Sequence, residues 1–286
     1  MGLFLQTEEK GYWDRIAERA KSEENIKPGE GRIPFKNWVA EYTDTKAKNL
    51  LLETFERFIA LDRDAQILDV GCGPGKWTRL FAKRGFPIIG IDRSSGMIEL
   101  AKGVLNENES KRAGFYVMDA STLGFRDSTF DFVNCVTVLQ HVKIDEQWRN
   151  AIKEIVRVTK CQGCILLYET APYFALKIAT QSLRIRTLRE YQTEFADAGA
   201  RLIYSLATDL SFPLTFFALR KFSTTFNKNE AYFYWAKKNK RISLERILSM
   251  NSRIIAEVAE QIDYKLGNTP LGMFSPLRIM LLKKAF

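Results

Sequence analysis

Nine residues constrain this chain more than any others: Ile67-Leu68-Asp69-Val70-Gly71-Cys72-Gly73-Pro74-Gly75. The apolar run Ile67–Val70 reads as a buried strand, preceded by the polar stretch Asp62–Gln66. Three glycines at alternate positions follow, and Trp77, Leu80 and Phe81 then recur at helical spacing. Strand, glycine turn and helix make the first half of a βαβ unit. Glycines there let the backbone bend sharply and let a ligand approach it closely. The helix behind the turn offers unpaired N–H groups and the positive end of its dipole. Asp69 falls at the carboxyl edge of the sheet, where open α/β folds bind ligands.

The spacing separates this turn from the common dinucleotide fingerprint, which wants a third glycine where Lys76 stands. The stretch resembles motif I of the class I S-adenosylmethionine-dependent methyltransferases, written (V/I)LDVGCGxG. By that resemblance Asp69, Gly71, Cys72 and Gly73 contact the cofactor. The second strand is expected at Pro87–Ile91, with Asp92 directly after it. A carboxylate about 20 residues beyond a glycine turn is placed to accept hydrogen bonds from a ribose diol. Ser94 or Ser95 is the expected N-cap of the next helix. Gly-Ile-Asp-x-Ser-x-x-Met is similar to the family's second motif, which implies that Arg93 and Met97 lie near the adenine; ordinary core packing is the other reading of Met97.

Residues 106–112 read as a charged loop, and Phe115–Met118 as a third strand ending at Asp119-Ala120. The resemblance implies that Asp119 accepts from the adenine amino group and that the Ala120 N–H meets the ring; a turn role is the alternative for Asp119. Phe130–Val136 reads as strand four, continuing through Val142. FDxVxxxxVLQHV looks like the same family, in its small-molecule (type 11-like) branch, and implies that the carbonyls around Val136 receive the methionine ammonium. His141, the single histidine, is a candidate general base, or a residue that holds a loop. A helix is expected over Asp145–Val158, then a turn at Lys160–Cys164, a strand at Ile165–Glu169, a helix over Tyr191–Ala198 and a strand at Leu202–Leu206. Cys161 and Cys164 form one C-x-x-C pair with no second pair and no nearby histidine, so a plain turn and no metal are expected.

The resemblance implies an α/β architecture: a three-layer, Rossmann-like sheet of seven mostly parallel strands whose last strand, here Leu277–Leu282, is antiparallel. Its divisions are an N-terminal helical cap (1–60), a cofactor-binding core (61–210), a helical insertion (211–268) and the final strand (269–286). Within the cap, Tyr12–Ala17 begins a short helix, Lys27–Gly31 is a loop, and Leu50, Leu51, Phe55, Phe58 and Ile59 mark an amphipathic helix. Such a segment either closes over the cofactor, as the resemblance implies, or packs on the sheet. Residues 211–268 carry ten Lys or Arg against five Asp or Glu, and so +5 of the net +9. The first half of that segment is dense in aromatics, from Phe212 to Trp235. It reads as a self-packed subdomain, an apolar lid over an acceptor, or a basic aromatic face for a membrane surface or nucleic acid.

The resemblance implies S-adenosyl-L-methionine as cofactor, S-adenosyl-L-homocysteine as product, and methyl transfer to a nucleophile. The Asn/Asp-Pro-Pro-Tyr/Phe motif of adenine and glutamine N-methyltransferases is absent after strand four, where Asn134-Cys135-Val136-Thr137 stands. A small-molecule or amphipathic acceptor is therefore favoured over RNA, with His141 or Glu169 as the base for a hydroxyl. A non-catalytic cofactor-binding protein is the remaining alternative. No apolar run of about 18 residues is present, so no transmembrane segment is expected. The lack of a signal peptide and the cysteine usage point to a cytoplasmic protein.

Overall fold

In the computed structural model the described residues are 2–22, 38–174, 183–208 and 277–285. They form seven strands in one sheet with the order β3-β2-β1-β4-β5-β7-β6. The strands are β1 Ile67–Val70, β2 Ile88–Asp92, β3 Ala113–Val117, β4 Phe130–Val136, β5 Thr159–Thr170, β6 Ala200–Ala207 and β7 Leu277–Lys284. The first five pair in parallel, while β7 runs antiparallel to both β5 and β6. From β1 the chain steps outward through β2 and β3, then returns to the other side of β1 as β4. The order reverses between β1 and β4, which opens a crevice at their carboxyl ends.

All four residues of β1 are buried, as a central parallel strand requires. Successive side chains leave opposite faces. Leu68, Val133, Ile165 and Leu167 pack under helices α6 (Asp145–Val158) and α7 (Leu188–Asp197). Ile67, Phe132 and Leu166 face α2 (Trp38–Phe58) and α3 (Lys76–Lys83), where Leu50, Leu51, Phe55, Trp77 and Phe81 complete the second layer. Phe55, Phe81 and Phe132 meet with ring centroids 5.1–5.7 Å apart. Each such ring contributes about 1.5–3 kcal/mol by burial.

The N-terminal segment divides. Helix α2 is part of the sheet's own packing layer. Helix α1 (Gly2–Ser22) lies instead on α4 (Ser95–Gly103), where Ala17 and Ala20 pack against Met97 and Leu100. The helix expected to begin at Tyr12 thus starts ten residues earlier. Residues 106–112 are not simply a loop: α5 (Glu107–Ser110) forms there, closed by a capping box in which Asn106 and Glu109 each bond the other's backbone N–H. Glu109 is buried because Arg79 reaches it at 2.9 Å.

Strand β4 stops at Val136 rather than running on to Val142, and β5 begins at Thr159 rather than Ile165. The turn expected at Lys160–Cys164 is absorbed into that longer strand, with Gln162 at φ +62° and a register shift between Phe130 and Phe132. The loop at Lys27–Gly31 and the helical insertion at 211–268 lie outside the described residues. Among the described residues no helix is long and apolar enough to cross a membrane.

Candidate functional site

The carboxyl ends of β1, β2 and β4 converge on the glycine turn. Gly71 has φ +65°, and a Cβ there would sit 2.3 Å from Cγ2 of Val138, so only glycine fits beneath that side chain. Gly73 has φ +52° and no heavy atom within 4 Å of where a Cβ would lie. The turn is therefore closed against protein at Gly71 and open at Gly73. The Cys72 N–H donates to the Ile91 carbonyl at 2.8 Å, which fastens the turn to β2. Burial pushes the Cys72 thiol up, as do the Asp69 and Asp92 charges, so it is a neutral packing group.

Asp92 closes β2. Its Oδ2 accepts the Gly73 N–H at 3.0 Å and its Oδ1 accepts the Ser94 N–H at 2.9 Å. A carboxylate has about four acceptor positions, so each oxygen retains one for a ligand. Burial raises the Asp92 pKa against the effect of the Ser94 and Gly73 bonds. Ser94 caps α4 by accepting from the Met97 N–H at 3.1 Å. Asp14 of α1 in turn accepts from the Ser94 hydroxyl and, at 3.3 Å, from the Gly96 N–H.

Asp69, expected at the ligand edge, is fully buried. Thr78 Oγ1 donates to its Oδ2 at 2.6 Å, and Asn134 Nδ2 donates to its Oδ1 at 2.8 Å. Desolvation lifts its pKa to about 6 despite those two bonds. Asp69 therefore acts on the turn by anchoring β1 to α3 and β4. The Met97 side chain is buried in the α1–α4 contact, which is the core-packing reading; Arg93 is half-buried. Asp119 follows β3, and its Oδ1 accepts both the N–H and the hydroxyl of Ser121, at 2.8 and 2.7 Å. Asp119 and Ala120 are half-buried at the same edge as Asp92.

After β4 the chain turns sharply. Thr137 sits at φ +57°, uncommon for a β-branched residue, and its N–H donates to the Tyr168 carbonyl at 2.8 Å. Its hydroxyl bonds the Val136 carbonyl at 2.7 Å. A short 3-10 turn, Leu139–His141, follows. His141 is half-buried, and its ring meets the Trp13 indole edge-on at 5.1 Å. Glu169, the other candidate base, faces inward: it is fully buried and accepts the N–H groups of Val138, Leu139 and Gln140.

Val138, Trp13, Asp14, Thr78 and Asn134 were not singled out by sequence reasoning. Only Asn134 carries a sequence signal, as the one polar residue at the centre of the apolar run Phe132–Val136. Among the described residues no group of three or more His, Cys, Asp or Glu could hold a metal ion.

An adenosine-bearing ligand fits these groups. The open backbone at Gly73, the remaining acceptor positions of Asp92 and the Asp119-Ala120 corner lie along one edge of β1, β2 and β3. Residues 67–163 match the family model described as a methyltransferase domain. The chain is 34% identical over 108 residues to a demethylmenaquinone methyltransferase of Lactococcus lactis, covering 37% of this chain and 42% of that protein. It is 33% identical over 101 residues to a tRNA (carboxymethyluridine(34)-5-O)-methyltransferase of Saccharomyces cerevisiae, covering 35% and 34%. This chain thus spans less than half the length of these curated relatives. Its fold is similar to that of geranyl diphosphate C-methyltransferase from Streptomyces coelicolor, with a TM-score of 0.54 at 13% identity over 84% of this chain and 79% of that one. Residues 67–163 thus match a methyltransferase domain, carried here on a Rossmann-like sheet of seven strands.

Proposed function

We propose that this chain transfers a methyl group from S-adenosylmethionine to a small-molecule or amphipathic oxygen or nitrogen nucleophile. The observation that carries this reading is the Asp92 carboxylate bound to the Gly73 N–H, with open space above Gly73. In it Asp92 receives the ribose diol, the turn at Gly71, Cys72 and Gly73 carries the aminoacyl part, and Asp119 with Ala120 borders the adenine. Arg93 flanks that edge, and Met97 shapes it from the α4 core. The Val136 carbonyl, at the end of β4, faces the methionine ammonium.

The cofactor's sulfonium supplies an already activated methyl group. The protein's work is then to hold donor and acceptor in line at about 3 Å and to exclude water. His141 is the group at the acceptor side that can take a proton from a hydroxyl. Glu169 is spent on three backbone N–H groups and is no base for the acceptor. Helix α1, tied by Asp14 to Ser94 and by Trp13 to His141, borders the acceptor side.

The demethylmenaquinone relative supports a small-molecule, amphipathic acceptor. The tRNA-modifying relative and the basic segment 211–268 support RNA as the second reading. A thermal-shift titration with S-adenosylmethionine, S-adenosylhomocysteine and NAD tests the cofactor through linkage. Stabilisation by the first two and none by NAD is expected; no shift with either would sink the reading. Acceptors then divide by assay. RNA affinity falling steeply between about 50 and 200 mM salt would favour the second reading. Turnover of an amphipathic phenol or amine without RNA would favour the first.

A further inference from the structure

The turn that follows β4 is held from both sides by opposite charges. Glu169 Oε1 accepts the N–H groups of Val138 at 2.8 Å and Leu139 at 2.9 Å, and Oε2 accepts that of Gln140 at 3.0 Å. The carbonyls of the same turn go to arginine: Arg186 Nη1 donates to Leu139 O at 3.5 Å, and Nη2 to Val142 O at 2.9 Å. The Gln140 side chain returns the contact by accepting the Thr170 N–H at 2.9 Å. Arg186 is itself fixed, over the Trp148 ring at 4.3 Å and on Asp145 at 2.9 Å. A carboxylate that takes three consecutive N–H groups makes the stronger, charge-assisted kind of bond.

What this clamp holds matters for the site. Val138 presses on Gly71, whose missing Cβ would otherwise lie 2.3 Å from it, and His141 at the far end meets Trp13. The turn starts at Thr137 in the left-handed region, a conformation that persists only where its surroundings over-determine it. We propose that Glu169 is the positioning residue of the site: it holds the Thr137–His141 turn in the geometry that sets Val138 against the glycine turn and His141 at the acceptor edge. This rests on the reading that the glycine turn binds S-adenosylmethionine.

The proposal has a pH signature. Burial lifts Glu169 to about 7, against its three N–H bonds and the charge of Arg186. Among the described residues, the other titratable or charged groups around it are Cys135 of β4, Tyr191 of α7, and Arg278, its register partner on β7. The thiol and the phenol are both pushed up by burial, and the two arginines keep their charge near neutrality. Protonation takes the charge out of all three bonds and puts an O–H on one of the two accepting oxygens, so the turn loosens as pH falls through about 7.

The experiment is calorimetry of S-adenosylhomocysteine binding from pH 6 to 8.5, on wild type, Glu169→Gln and Glu169→Asp, with melting recorded on each sample. Wild-type affinity is expected to fall by about tenfold as pH drops across neutrality, the scale of one lost charge-assisted bond. Glu169→Gln should bind as weakly at pH 8.5 as wild type does at pH 6, on a flat profile. Glu169→Asp, which keeps the charge but is shorter by one methylene, should bind at an intermediate level and keep a slope. A flat wild-type profile, or a Gln variant with wild-type affinity and slope, would overturn the proposal.

Should the variants fail to fold, or wild type bind no S-adenosylhomocysteine, the amide protons of Val138, Leu139 and Gln140 in wild type decide it. One shared titration midpoint near 7 supports the clamp, and unshared or absent titration overturns it. Absence of binding at every pH, with that shared midpoint present, overturns the cofactor reading and leaves the clamp standing.

Discussion

The backbone N–H of Gly73 donates to the Asp92 carboxylate at 3.0 Å, joining the turn after β1 to the end of β2. The same carboxylate holds the Ser94 N–H, so one side chain sets the relation between two loops. Replacing Asp92 with Ala removes both bonds and the acceptors left for a diol. S-adenosylmethionine binding should weaken by about 1–3 kcal/mol, read by calorimetry. Unchanged affinity would show that the end of β2 does not meet the cofactor.

Gly71 and Gly73 make a matched pair. Both have positive φ, but only Gly71 is covered by protein. Gly71→Ala should cost about 2–4 kcal/mol of stability in urea unfolding, from left-handed strain plus overpacking on Val138. Gly73→Ala should cost about 1 kcal/mol, from strain alone. If the space above Gly73 is the cofactor's, the second variant should lose more affinity than stability. Equal losses of stability in both would contradict the packing described for Val138.

Asp69 and Glu169, the most deeply buried of the raised acids, give the fold a pH slope, and Asp92 acts in the same sense. Asp69 is lifted from 3.8 to about 6, and Glu169 from 4.5 to about 7. Each folded pKa lies above its unfolded value, so the native state holds these protons more tightly. Their contribution is complete below pH 4 and is lost as pH rises through about 6 and about 7. At about 1.4 kcal/mol per pKa unit, each is worth about 3 kcal/mol. Asp145, Glu154 and Glu109 are lowered and act in the opposite sense, losing stability as pH falls. They are common to wild type and variant, so the difference curve isolates each raised acid. The stability of Asp69→Asn or Glu169→Gln minus that of wild type should rise between pH 4.5 and 8. A flat difference in urea midpoints would refute the burial assigned to that carboxylate.

Among the described side chains, those of residues 13–21 hold helix α1 in place. Asp14 bonds Ser94 and Gly96, and Ala17 and Ala20 pack on Met97 and Leu100. Asp14→Ala should cost about 1 kcal/mol overall, while amide exchange over residues 12–21 speeds up and β1 and β4 remain as protected as before. Uniform loss of protection across the sheet would mean that α1 is integral to the core.

Elements defined by local periodicity were legible in the sequence. Helix α6 occupies the expected Asp145–Val158, and Ser94 is the N-cap of α4. The seven-stranded sheet with its antiparallel β7 was legible too, through the family resemblance, with the apolar runs giving the strands' places. What escaped depends on partners far along the chain. Thr137-Val138-Leu139 reads as a continuing strand because β-branched and apolar residues favour one. The strand ends because Glu169, some 30 positions on, takes the next N–H groups. Asp69 and Glu169 look like ligand-facing acids because carboxylates are rarely buried without partners. Their partners, Thr78 with Asn134 and the backbone of the turn, became visible only in three dimensions. Asn106 and Glu109 formed a capping box that a polar, charged stretch concealed.

Strand β7 lies between β5 and β6, yet residues 208–276 separate it in sequence from β6. During translation β5 therefore emerges with one edge unpaired, and β6 with no neighbour in the sheet, until residues 277–284 leave the ribosome. At about 5–20 residues per second, that exposure lasts several seconds. The apolar edge of β5, Ile165-Leu166-Leu167, is open to intermolecular pairing throughout that time. The nascent chain's dependence on chaperones should accordingly concentrate in this interval, and the sheet should close in a late, non-local step.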